Sequence, residues 1–72
     1  MRVYRKANQE QIRRGAQLLI NLFYFKHPDG TYQNDAGTVA VVSDVLVDDS
    51  DVVEIMFFPN RDTFEKEVNH AS

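Results

Sequence analysis

A chain of 72 residues holds one domain, near the lower size at which a single hydrophobic core suffices. It contains no cysteine, which excludes disulfides and thiolate metal sites, so its 43% hydrophobic residues must supply the stability. The net charge of −3 is unevenly spread: residues 1–26 carry Arg2, Arg5, Lys6, Arg13, Arg14 and Lys26 against Glu10 alone, whereas residues 27–72 carry Arg61 and Lys66 against ten acids. That asymmetry points either to a charged partner or to two ends that neutralise each other across the fold.

Residues 1–7, MRVYRKA, place Val3 and Tyr4 on opposite sides among basic residues and read as a basic arm or an edge strand. No apolar segment of signal-peptide type follows them, so a cytoplasmic protein is expected. Residues 8–15 read as a short helix. Asn8 is a good N-cap, Gln11 completes a capping box, and Glu10 sits in the first turn. Arg13 and Arg14 would then fall in the last turn, and Gly15 would end the helix.

Residues 16–25, AQLLINLFYF, support two readings. A strand lines Ala16, Leu18, Ile20, Leu22 and Tyr24 along one face, and the Phe23-Tyr24-Phe25 run favours it. A continued helix makes an apolar stripe of Ile12, Ala16, Leu19 and Phe23 but carries Gly15 inside it, at about 1 kcal/mol relative to alanine. The strand is the preferred expectation. The apolar run Leu18 to Phe25 is too short to span a bilayer.

His27-Pro28-Asp29-Gly30 is a strong turn signal, and residues 26–36 read as an exposed loop that includes Tyr32. Residues 37–59 are the centre of the chain: two runs rich in β-branched and aromatic residues, with apolar residues on both faces, joined by Asp48-Asp49-Ser50-Asp51. The pattern is a hairpin. Its acidic link lacks the glycine and the distal glutamate that a calcium loop needs at fixed spacing, and a plain turn is expected. Residues 60–72 read as a short helix and a fraying tail, with Asp62 and Glu65 as a second capping box and Phe64 and Val68 facing the sheet.

The fold expected is therefore one small domain, mainly β with short helices. The alternative is α+β, with one long helix over 8–25 packed on the hairpin 37–59. No glycine-rich phosphate loop, nucleophile elbow or zinc pattern occurs. His27 and His70 lie in a turn and in the tail, and His27 with Asp29 makes a poor metal site, so a non-enzymatic protein without cofactor or metal is expected.

The segments R-G-A-Q-L-L-I-N, the P-D-G turn, G-T-V-A-V-V-S-D-V and V-V-E-I-M-F resemble a KOW or SH3-like small barrel. Such barrels are frequent in ribosomal and transcription-elongation proteins, so the resemblance implies binding to RNA or to the transcription machinery. The small size, the polarised charge and the MRVYRKA arm are also similar to phage-encoded regulators that bind bacterial RNA polymerase, inhibiting initiation or promoting antitermination. That likeness implies the cytoplasm of a bacterial host, with the polymerase contact on Arg2, Val3, Tyr4, Arg5 and Lys6. Arg13 and Arg14 would add contacts to carboxylates. One alternative is an RNA- or single-stranded-DNA-binding module with Tyr4, Tyr24 or Tyr32 stacking on bases. Another is a homodimer paired through the valine-rich strands.

Overall fold

The computed structural model describes residues 5–70. In chain order they form α1 (Gln9–Asn21), β1 (Phe25–Lys26), β2 (Tyr32–Gln33), β3 (Val39–Leu46), β4 (Val53–Phe58) and α2 (Arg61–His70). The four strands make one antiparallel sheet in the order β1-β2-β3-β4. The fold is mixed α+β. The sheet is open, with β1 and β4 at its two edges, where a closed barrel was expected.

The expected strand over 16–25 is overturned: α1 runs unbroken through Gly15 to Asn21. Its start follows the sequence, since the Gln11 N–H donates to Asn8 Oδ1 and the Asn8 N–H to Gln11 Oε1, each at 2.9 Å. Its end does not. Gly15 is buried against the sheet, where an added Cβ would lie 2.4 Å from Val53 Cγ2 and 3.2 Å from Val42 Cγ1. The glycine is there for close approach, and Arg13 and Arg14 consequently sit mid-helix. The stop comes at Phe23, which takes the left-handed conformation with φ 67°. Its N–H reaches Ile20 O at 3.0 Å and the Tyr24 N–H reaches Leu19 O at 2.9 Å, the paired bonds of a Schellman ending.

The central hairpin forms as expected, with Val39 opposite Phe58 and Val42 opposite Ile55. A bulge in β3 then shifts the register before Leu46 meets Val53. At that bulge the arm docks on the other side of β3. Lys6 bridges to Val45, the Ala7 N–H donates to Asp44 O, and the Leu46 N–H donates to Arg5 O.

Residues 26–36 are not simply an exposed loop. Lys26 pairs with Tyr32, and Tyr32 pairs with Ala40, so the Pro28–Gly30 turn closes a short hairpin. Thr31 and Tyr32 are buried.

Cross-strand partners share a face, which divides the sheet cleanly. Tyr32, Ala40, Val42, Leu46, Val53 and Ile55 face α1 and build two adjoining clusters, one with Ala7 and Ile12, the other with Leu19 and Ala16. Val39 and Phe58 face the opposite way, and on that side the Phe64 ring of α2 meets Phe58 edge-on at 5.2 Å. The N-cap of α2 is Asn60, whose Oδ1 accepts the Thr63 N–H at 2.7 Å, in place of the Asp62–Glu65 box expected. Phe64 docks as expected, whereas Val68 is exposed. No helix among the described residues is long and apolar enough to cross a membrane.

Candidate functional site

The residues singled out by the sequence do not form one patch. Arg2, Val3 and Tyr4 lie outside the described residues. Arg5 is a strap: its Nη2 donates to Asp48 O at 3.1 Å and to Ser50 O at 2.9 Å, tying the arm to the acidic turn. Lys6 is exposed beside its bridge to β3. Arg13 and Arg14 lie on the outer face of α1, with 76% and 64% of their side chains exposed. Both turn toward Glu10, Arg13 in direct contact and Arg14 at 3.9 Å. The Arg13 hydrogen bond and charge, with help from Arg14, hold the Glu10 carboxyl below its ordinary value. One acid shared between two guanidinium groups leaves this helix face cationic.

Next to that face runs an open groove of about 320 Å³ between α1 and the start of β4. Gln11, Arg14, Gly15 and Leu18 form the helix wall, and Asp51, Val52 and Val53 the hairpin wall. The bare Gly15 lets the helix axis come close to Val53, while Leu18 and Val52 stand to the side at 48% and 51% exposure. The groove is apolar inside and carries Arg14 on one rim and Asp51 on the other. At the end of α1, Leu22 and Phe23 are also exposed, at 62% and 77%.

Leu18 and Val52 were not among the residues the sequence singled out. The helix reading does hold a signal for Leu18: Arg14, Leu18 and Leu22 are four apart, one step round the helix from the stripe of half-buried Ile12 and Ala16 and buried Leu19. The strand reading hid it by placing Leu18 with the core residues.

A second polar cluster is structural. Asp29 Oδ1 accepts from the Thr31 hydroxyl at 2.6 Å and the Thr31 N–H at 3.0 Å, and its Oδ2 from Arg61 at 3.1 Å. Arg61 also donates to Gln33 at 3.2 Å and lies over the Phe64 ring, so this cluster clamps α2 to the β1–β2 hairpin. The Thr31 hydrogen bonds, chiefly the hydroxyl, hold the Asp29 carboxyl below its ordinary value, with Arg61 and His27 assisting. Among the described residues no three histidines or carboxylates gather as metal ligands would.

Of the tyrosines named for base stacking, Tyr32 is in the core and Tyr24 packs on Phe57 with ring centroids 6.1 Å apart. Protein-family models, characterised proteins and solved structures were all compared with the chain, and none matches it.

Proposed function

We propose that the chain is a non-enzymatic protein-binding module that docks on a larger protein through the groove between α1 and β4 and the cationic face beside it. The observation that carries this reading is the apolar groove bordered by Arg14, with Leu18 and Val52 half exposed on its walls. A burial-poor pair of this kind beside exposed guanidinium groups suits a segment that inserts an apolar side chain and sets a carboxylate against Arg14. The specific form of the proposal is a regulator of transcription that docks on RNA polymerase, which is what the likeness of its small size, polarised charge and MRVYRKA arm to phage-encoded regulators implies. Arg13 and Arg14 take the role of carboxylate contacts, and Leu18 replaces Tyr4 as the anchor among the described residues. Arg5 supports the site indirectly by holding the turn that carries Asp51 and Val52.

The test is retention of purified bacterial RNA polymerase by immobilised wild type, Leu18→Glu and Arg14→Glu. Both side chains are exposed, so both variants keep the fold. Wild type is expected to retain the polymerase, and either variant to weaken it at least about tenfold, which is about 1.4 kcal/mol. Equal retention by all three removes the groove from the account. Tight binding of RNA by the purified protein, falling steeply with salt, would instead make it a nucleic-acid module.

A further inference from the structure

We infer that the protein pairs with a second copy of itself along the outer edge of β4, joining two four-stranded sheets into one antiparallel sheet about a two-fold axis. The two edges of the sheet are built differently. β1 is only two residues long, contains Lys26 and runs into His27-Pro28, all features that discourage edge pairing. The outer side of the second half of β3 is taken by Arg5–Ala7. β4 has no such guard. It is six residues long, with no proline, glycine, lysine or arginine, and the bulge of the hairpin lies in β3. Among the described residues its only strand neighbour is β3. Met56 and Phe57, on opposite faces of this edge, are 43% and 54% exposed.

The occupant that fits is another β4. A two-fold axis perpendicular to the sheet pairs residues of the same face. A register that keeps Pro59 outside the ladder and leaves the buried Val53 covered by α1 puts Ile55 on the axis and Glu54 opposite Met56 of the second copy. Charge favours the same arrangement. β4 begins at the acidic turn with Asp49 and Asp51 and ends at the first turn of α2, where Arg61 is bonded to Asp29 and Asp62 follows it. Antiparallel pairing keeps the acidic turns of the two copies at opposite ends of the joint. Parallel pairing would bring the two acidic turns together.

Sedimentation equilibrium of the purified full chain tests this without any partner, so its outcome is separate from that of the docking experiment. The average mass of wild type is expected to rise with concentration to twice that of the monomer. The double variant Met56→Lys/Phe57→Lys should stay monomeric with an unchanged far-UV circular dichroism spectrum. A wild type that stays monomeric at high concentration overturns the inference, as does an undiminished dimer in the lysine variant. Hydrogen exchange on wild type alone gives a second reading that does not depend on the variant folding. The amides of β4 should exchange more slowly as concentration rises, and rates independent of concentration would count against the pairing.

Discussion

Gly15 shows how one residue can mislead a sequence reading and then organise the structure. A glycine seven positions after a good N-cap looks like a helix end, because the left-handed conformation that ends helices is the commonest use of glycine there. Here φ is not the reason. The absent side chain lets α1 approach until a Cβ would collide with Val53 Cγ2 at 2.4 Å. Gly15→Ala therefore tests two opposing effects. Alanine gains about 1 kcal/mol of helix propensity. Against that, Val53 is β-branched and 2% exposed, so it has no rotamer to retreat into, and overpacking costs about 1–3 kcal/mol. The larger effect should win, and the urea midpoint of Gly15→Ala should fall. Adding Val53→Ala removes the colliding methyl groups, so the double variant should be less destabilised than the sum of the two single changes. A midpoint that rises for Gly15→Ala alone would mean the helix does not pack this closely. What could be read beforehand at this scale was local chemistry, the Asn8–Gln11 box above all. The collision with Val53 joins residues 38 positions apart and leaves no trace in the local pattern.

At the scale of elements, legibility followed how much of an element's form is decided within itself. The hairpin 37–59 was plain because its runs are long, β-branched and apolar on both faces, and its turn is made of short polar residues. The run 16–25 was not, because Leu18, Ile20 and Leu22 satisfy a period of two while Ile12, Ala16 and Leu19 satisfy 3.6. The helix won through its core contacts: Leu19 is fully buried in the cluster with Tyr32 and Ala40, whereas Leu18, Ile20 and Leu22 are all exposed. That outcome also created the groove wall, which is why the docking surface could not be found from the strand reading. The β1–β2 hairpin was hidden for another reason: two-residue strands carry no period, and the side-chain network around Asp29 defines the turn. Thr31→Val removes the hydroxyl and leaves the shape. The Asp29 carboxyl should then titrate closer to its ordinary value of 3.8, measured by NMR across acid pH. The sign follows from the depressed value. The carboxylate's contribution to stability is present above the unfolded-state pKa and is lost as the pH falls through the lower folded-state value, so the clamp on α2 should loosen first in acid. An unchanged titration in Thr31→Val would show that the hydroxyl does not hold Asp29.

For the whole molecule, the decisive feature is that its two buried clusters are not independent. Ala7, Leu46 and Val53 form one and Leu19, Tyr32 and Ala40 the other, yet Val42 and Ile55, cross-strand partners, pack against both. Each cluster alone is too small to hold a domain of this size, whose total stability is on the order of 5 kcal/mol. The pair in the middle makes them a single cooperative unit. Ile55→Ala should therefore cost about 2–5 kcal/mol and lower the protection of amides at both ends of α1 together, near Ile12 and near Leu19. Leu46→Ala touches one cluster only. It should loosen the Ile12 end before the Leu19 end if the first cluster can open without the second. Native-state hydrogen exchange at a fixed low protein concentration, where any pairing through β4 is dissociated, separates the two cases. If Ile55→Ala exposed the amides of one end of α1 and left the other protected, the clusters would be separate folding units. The docking groove, which draws its walls from both sides of the Gly15–Val53 contact, would then open and close with only one of them.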